Sequence, residues 1–137
     1  MHLSNAWRKV YGISPEPTDA YGDAVKAVEA AACPVVLATA ATQRTTTIYR
    51  VRDHLRDAAH KWRFVLVHDS KNLPNTGDIS PVVELLNRLL SAQTGRHDVN
   101  GTTVDYRDST VHEAQAAVYL AALLVQWFSS GAVQKVQ

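Results

Sequence analysis

The last long apolar stretch of the chain, residues 110–130, constrains its fold more than any other feature. It reads T-V-H-E-A-Q-A-A-V-Y-L-A-A-L-L-V-Q-W-F-S-S and contains no proline or glycine before Gly131. Thr110 and Glu113 have the spacing of a capping box, in which each side chain accepts a hydrogen bond from a free backbone N–H of the first turn. Gly131 provides the left-handed backbone that often ends a helix. The stretch is therefore predicted to be one helix.

Apolar residues of this helix extend well beyond a single stripe. The stripe at helical spacing consists of Ala114, Ala117, Val118, Ala121, Leu124, Val125 and Phe128, and Ala116, Leu120, Ala122 and Leu123 lie outside it. A helix that is apolar around most of its circumference packs inside a bundle. We therefore expect an all-α bundle of four or five helices, with this helix enclosed on most of its sides.

The composition is that of one soluble domain. With 137 residues, 46% of them hydrophobic and 20% charged, the chain can bury a core without disulfides or metal ions. We predict a single helical domain over residues 1–137, which could also be the C-terminal domain of a longer protein. A net charge of +1 gives no overall bias towards nucleic acid, so any electrostatic site has to be local.

The expected compartment is the cytoplasm. Cys33 is the single cysteine, which excludes an internal disulfide and fits a reducing environment. The first ten residues lack the apolar core of a signal peptide. The apolar run 114–128 is shorter than the about 20 residues that span a bilayer, and Gln115 and Gln126 interrupt it. No membrane partner is therefore expected.

Apolar periodicity predicts further helices over about 3–11, 18–33, 46–62 and 80–93. Thr18 is interpreted as the N-cap of the second helix and Pro34 as the residue that ends it. Ser80 and Pro81 have the pattern of an N-cap followed by the first helical residue.

A small α/β fold is the alternative to the bundle. The run P-V-V-L-A-T-A from Pro34 could form a short buried strand, and residues 64–68 (F-V-L-V-H) could form its partner across a helix. Against this interpretation, only two candidate strands exist, and a two-stranded sheet is marginally stable alone.

The predicted helix 46–62 carries a basic face. Its candidate RNA-binding residues are Arg50, Arg52, Arg56 and Lys61. Cations clustered on one side of a helix can hold the phosphates of RNA. The alternative is a solvated face on which arginines pair with Asp53 and Asp57.

Two Arg/His pairs are the candidates for catalysis: Arg96 with His97, and Arg107 with His112. His112 falls in the first turn of the last helix, where the positive end of the helix dipole favours a neutral imidazole. A neutral histidine can deprotonate a ribose 2′-hydroxyl, and an arginine can stabilise the charge on the scissile phosphate. Such chemistry needs neither metal nor cofactor, and none is expected, since one cysteine and scattered histidines form no metal-ligand set. Solvated polar residues are the alternative at both places.

Three segments of the chain carry a resemblance to a known family. They are A-W-R-K-V-Y-G-I-S-P-E-P-T-D-A-Y-G-D-A-V-K-A-V-E-A at 6–30, A-Q-T-G-R-H-D at 92–98, and the terminal A-A-V-Y-L-A-A-L-L-V-Q-W-F-S-S-G. With them the chain resembles a family of uncharacterised actinobacterial and phage-associated proteins and, more distantly, the C-terminal domain of abortive-infection proteins. That domain belongs to the HEPN group of helical bundles, many of which are metal-independent ribonucleases with an Arg/His motif at a dimer interface.

The resemblance implies a function and a partner. Arg96 and His97 match the family's R-H motif, although Asp98 stands where the family has glycine, and Arg107 with His112 matches the generic HEPN spacing. The implied function is binding or metal-independent cleavage of RNA, in phage defence or a toxin system, by a homodimer. The alternative is a non-catalytic dimerisation or ligand-sensing module for a fused or neighbouring effector protein, which would have a nonpolar dimer patch.

Overall fold

Helices form most of the structure, a computed structural model that describes residues 2–37, 47–73, 76–92 and 108–136. The α-helices of these residues are α1 (His2–Tyr11), α2 (Pro17–Val36), α3 (Ile48–Asp57), α4 (Ser80–Ser91) and α5 (Val111–Ser130). A 3-10 turn (Ala59–Lys61) and two strands, β1 (Trp62–Phe64) and β2 (Val133–Lys135), accompany them. The prediction of a mainly helical domain is confirmed, and the chain also contains a small sheet.

Both ends of α5 form as the local sequence predicts. The Thr110 hydroxyl accepts from the Glu113 N–H at 3.1 Å, and the Glu113 carboxylate accepts from the Thr110 N–H at 3.0 Å. Gly131 ends the helix with a φ of 86°, in the left-handed region that glycine adopts without strain. Because these signals act within one helical turn, they do not depend on the rest of the fold.

The surroundings of α5 differ from the prediction. Its buried residues are Ala114, Ala117, Val118, Ala121, Leu124 and Phe128, which form one side of the helix. This side packs mainly on α2, with α1, α4 and β2 making smaller contacts. The opposite side is exposed, and Tyr119 and Leu123 lie on it. The expectation that α5 is enclosed on most of its sides was wrong, because the other helices cover it from one direction only.

The beginning of α2 also differs from the prediction. Thr18 is not the N-cap, since the helix begins at Pro17 and Glu16 precedes it without a capping side chain. Proline suits the first turn because the backbone N–H that it lacks would have no helical partner there. The Thr18 hydroxyl instead accepts a hydrogen bond from the Ser109 N–H at 2.9 Å. Thr18 therefore links α2 to the residue that comes just before the cap of α5.

Pro34 does not end α2, which continues to Val36. An internal proline removes one backbone hydrogen bond and costs about 3 kcal/mol in a helix interior. Here the ring of Pro34 is exposed, while Val36 and Leu37 a little further along the chain are buried in the core. Their burial offsets the lost hydrogen bond.

The sheet does not form the predicted βαβ unit. Residues 34–36 are helical, and of residues 64–68 only Phe64 lies in a strand. β1 pairs antiparallel with β2 instead, with Trp62 opposite Lys135 and Phe64 opposite Val133. The prediction of a helix from 46 to 62 was therefore too long: α3 ends at Asp57, and the turn that follows leads directly into β1.

The segment that leads into α4 lies close to β1 because Gly77 has no side chain. A Cβ atom at this residue would lie 1.7 Å from the carbonyl oxygen of Phe64, a separation that no side chain permits. The Phe64 N–H donates to the Gly77 carbonyl at 3.2 Å. Asp78 then accepts hydrogen bonds from the Ser80 N–H at 3.0 Å and from its hydroxyl at 2.6 Å. α4 thus begins at Ser80, one residue earlier than predicted.

Candidate functional site

The structure describes one of the four candidate catalytic residues. Arg96, His97 and Arg107 lie outside the described residues, so the convergence of the two Arg/His pairs stays a prediction. His112 lies in the first turn of α5, as predicted, and its side chain is exposed. It lies two residues after Thr110 in the capped helix start, on the same exposed side of α5 as Tyr119.

The arginines at the end of α3 are paired with carboxylates. Arg52 Nη2 lies 3.0 Å from Asp53 Oδ1, and Arg56 Nη2 lies 3.4 Å from the same oxygen. Arg56 Nε lies 3.0 Å from Asp57 Oδ1, and this hydrogen bond lowers the pKa of the Asp57 carboxyl. The two carboxylates partly neutralise the surface that phosphates would need, which is the arrangement expected of a solvated helix face.

The other two basic candidates do not extend this surface along one helix. Arg50 is half-buried in the first turn of α3, where its backbone N–H donates to the Thr47 hydroxyl at 3.3 Å. Lys61 is exposed but lies beyond the end of α3, in the 3-10 turn. The guanidinium of Arg52 also stacks on the ring of Tyr49, 5.5 Å from its centroid.

The described part of the chain contains neither a candidate metal site nor a candidate membrane span. No three of its His, Cys, Asp or Glu side chains are grouped so that they could hold a metal ion. No helix within the described ranges has both the length and the hydropathy needed to cross a membrane.

A surface between α1 and α5 concentrates exposed apolar side chains. Trp7 is 45% exposed, Tyr11 44%, Tyr119 58% and Leu123 41%, although all four are large and mainly hydrophobic. The centroids of the Trp7 and Tyr11 rings are 4.7 Å apart, and those of the Trp7 and Tyr119 rings are 5.3 Å apart with the rings nearly perpendicular. We call these four residues the α1/α5 face.

The three aromatic residues of the face form one cluster, because the Trp7 ring contacts both tyrosine rings. Desolvation, and secondarily a hydrogen bond with Tyr119, raises the pKa of the Tyr11 phenol. Such preformed aromatic groups lose little side-chain freedom when a partner covers them.

A groove lies next to this face. Its volume is about 340 Å³, and its lining residues are Leu3, Ser4, Trp7, Val118 and Ala122. The groove is mainly apolar and open, so it gives the face depth without enclosing a small ligand. This shape fits a protruding side chain of another protein better than a buried metabolite.

The exposed side of α5 carries no charge over most of its length. After Glu113, the next residue with a formal charge is Lys135, beyond the helix end. On α1, Lys9 faces the other way, and its ammonium lies 2.7 Å from Asp23 Oδ2 on α2. Arg8, the one exposed cation next to Trp7 on α1, donates to Asn5 Oδ1 at 2.6 Å. Depletion of charge together with exposed Trp and Tyr is typical of the centre of protein–protein interfaces.

Sequence reasoning missed this face, although a signal was present. Trp7 and Tyr11 are four residues apart, as are Tyr119 and Leu123, so each pair lies on one side of its helix. The apolar residues outside the main stripe of α5 were interpreted as contacts with further helices of the bundle. The same residues also fit a surface that a partner covers.

Comparisons with models of protein families, with characterised proteins and with solved structures found no match to this chain.

Proposed function

We propose that this chain is a non-catalytic helical interaction module that binds protein through the α1/α5 face. The observation that carries the proposal is the contact of Trp7 with Tyr119, which joins the exposed aromatic pair of α1 to the exposed Tyr119 and Leu123 of α5. Soluble monomers rarely expose a contiguous apolar patch beyond a few hundred Å² unless it binds something. α2 packs against both α1 and α5, so one helix supports the two that form the face.

A photo-crosslinking amino acid placed at position 123 tests the proposal in the host cell. Leu123 is 41% exposed and lies on the face, so a probe there should form an adduct with a bound protein. The matched control is a probe at Leu66, which is 65% exposed but lies in the connection between β1 and α4. Mass spectrometry identifies each adduct.

The expected result is an adduct at position 123 that is absent at position 66. Adding Trp7→Ala and Tyr119→Asp to the probe variant should abolish the adduct, because these changes remove the aromatic contact and place a charge on the face. Equal yields at both positions, or an adduct that survives both substitutions, would remove the interaction function.

The RNA function implied by the family resemblance stays a prediction. What supports it is the exposed position of His112 and the basic residues of α3 and the following turn, although carboxylates pair with Arg52 and Arg56. Incubating the protein with total RNA and a chelator tests it. Loss of cleavage in any of the variants Arg96→Ala, His97→Ala, Arg107→Ala or His112→Ala would establish a nuclease. Intact RNA, or cleavage by all four variants at the level of the parent protein, would exclude one.

A further inference from the structure

We infer that the partner of the α1/α5 face is a second copy of this chain. The two α5 helices lie antiparallel, and the two-fold axis crosses their exposed sides at the level of residue 121. The inference rests on the proposed function, because it names the occupant of the same face. Three properties of α5 carry it: the spacing of its exposed residues, their order, and the distribution of charge.

The exposed residues of α5 have the spacing of a coiled-coil seam. Six of them, in chain order, are His112, Ala116, Tyr119, Leu123, Gln126 and Ser130. The steps between them alternate between four and three residues. This alternation keeps the residues on one side of a helix, where a second helix can pack along them. In the single chain, apart from the contact of α1 with Tyr119, no helix among the described residues covers this side.

The order of these residues is symmetric about Ala121. In an antiparallel pair centred there, Tyr119 lies beside Leu123 of the partner subunit. Ala116 then lies beside Gln126 of the partner subunit, and His112 beside Ser130 of the partner subunit. The large apolar side chains meet at the centre and the polar ones at both ends, which is the usual division of an interface into an apolar core and a polar rim. A two-fold axis requires such a self-complementary surface.

The charge distribution favours a copy of the same chain over a charged partner. Because α5 has no formal charge between Glu113 and its end, two copies approach without repulsion between like charges. A basic or acidic partner helix would find no opposite charge along the seam. The antiparallel direction also places the N-terminal end of each helix dipole beside the C-terminal end of the other, which is favourable.

The α1/α5 face supplies part of the area that a stable dimer buries, and the rest of the seam adds to it. The four residues of the face are each close to half exposed, which corresponds to roughly 400 Å² if an aromatic side chain buries about 150–250 Å² in full. A standard interface buries about 800 Å² per partner. The remaining seam residues of α5 and the groove beside Trp7 and Ala122 extend the contact towards that value.

Sedimentation velocity over a wide range of protein concentration tests whether the second copy binds. The full chain should form a dimer, and Leu123→Glu should raise its dissociation constant by more than about tenfold, because the two-fold axis places the charge twice in the interface. Leu66→Glu, which changes an even more exposed leucine away from α5, should leave the constant unchanged. A chain that stays monomeric, or one that both substitutions weaken equally, would overturn the inference.

Disulfide formation tests the antiparallel direction. In a Cys33→Ala background, which removes the half-buried native thiol, Tyr119→Cys and Leu123→Cys proteins are mixed and oxidised. The antiparallel pair predicts a mixed disulfide between positions 119 and 123, and each protein alone should crosslink poorly. Efficient crosslinking of each protein with itself and little mixed product would contradict the antiparallel arrangement.

The two sets of experiments separate the failure of this inference from the failure of the proposed function. If the purified chain stays monomeric while the probe at position 123 captures a different protein in the cell, the interaction function stands and the second copy does not. If neither a dimer nor a specific adduct forms, both fall.

Discussion

The indole ring of Trp7 meets the phenol ring of Tyr119 nearly at right angles, with 5.3 Å between their centroids. This contact joins α1 to α5 on the side that no other helix of the described residues covers. It positions one aromatic residue of α1 next to the seam of α5, and Tyr11 stacks on the same indole from further along α1. The coupling free energy between the Trp7 and Tyr119 rings therefore measures how strongly α1 is attached to α5 at the proposed interface.

Replacing Trp7 and Tyr119 by leucine, singly and together, should reveal their coupling. Perpendicular aromatic pairs contribute about 0.5–1.5 kcal/mol beyond the area that they bury. The double variant should accordingly lose less free energy of unfolding than the sum of the two single variants, by an amount in that range. Urea unfolding at a protein concentration low enough to exclude association measures it. Strict additivity would show that the two rings do not interact in solution.

Thr18→Val should destabilise the fold, although Thr18 is not a helix cap. The valine cannot accept a hydrogen bond from the Ser109 N–H, and Ser109 is buried. An unsatisfied buried donor costs about 1–3 kcal/mol. Thr18→Ser is the matched control, because it keeps the hydroxyl oxygen and should cost less than the valine. Denaturant unfolding compares the two, and a Thr18→Val variant as stable as the parent would show that the hydrogen bond does not contribute.

Two glycines should respond to alanine with opposite signs. Gly131 has a φ of 86°, so Gly131→Ala should destabilise the protein by about 1–2 kcal/mol, the cost of a side chain in the left-handed region. Gly22 lies inside α2, and beyond the adjacent backbone of that helix no heavy atom lies within 4 Å of the position that a Cβ would take there, so Gly22→Ala should stabilise the protein by about 0.5–1 kcal/mol. Thermal unfolding followed by circular dichroism measures both. A loss of stability in Gly22→Ala would contradict the described packing of α2.

The stability of the protein should fall in strong alkali partly because of Tyr21. Burial, and secondarily the charge of Glu113, raises the pKa of its phenol to about 12, while the hydroxyl donates to the Leu89 carbonyl. Since an unfolded tyrosine has a pKa of about 10, the neutral phenol stabilises the fold fully below pH about 10, and this contribution disappears as the pH rises towards 12.

Tyr21→Phe isolates that contribution. The variant loses the hydrogen bond to Leu89, so it should be less stable at neutral pH by about 0.5–1.5 kcal/mol. Its stability should also decline less between pH about 10 and 12 than that of the parent, because no phenol remains to ionise at this position. Urea unfolding at a series of pH values gives both quantities. Parallel pH profiles for the two proteins would show that the phenol of Tyr21 ionises as readily in the fold as out of it.

Much of the secondary structure could be predicted because its signals are local. Thr110, Glu113 and Gly131 act within a turn of the backbone that they cap, so both ends of α5 were predicted correctly. The helix 3–11 and the start of α4 near Ser80 were also predicted to within one residue. The prediction that Pro34 ends α2 was wrong, because it included the local cost of proline but not the burial of Val36 and Leu37 beyond it.

Less of the candidate site could be predicted, because it depends on residues far apart in the chain. Trp7 and Tyr119 are separated by most of the sequence, and no sequence pattern predicts a contact between them. The Arg/His pairs form short patterns that predict catalysis, and three of those four residues lie outside the described structure. A count of cations predicted a basic face on α3, but it does not show that Arg52 and Arg56 contact Asp53 or that Lys61 lies beyond the helix.

The sequence by itself determined where α5 begins and ends and which of its residues are apolar, because capping and periodicity are properties of consecutive residues. Only the tertiary structure decided which of those apolar residues are buried and which remain exposed. That choice depends on the direction from which α1, α2 and α4 approach. The pairing of β1 with β2 and the hydrogen bond from Ser109 to Thr18 also depend on the tertiary structure, since their partners are far apart in the sequence and meet only when the chain folds.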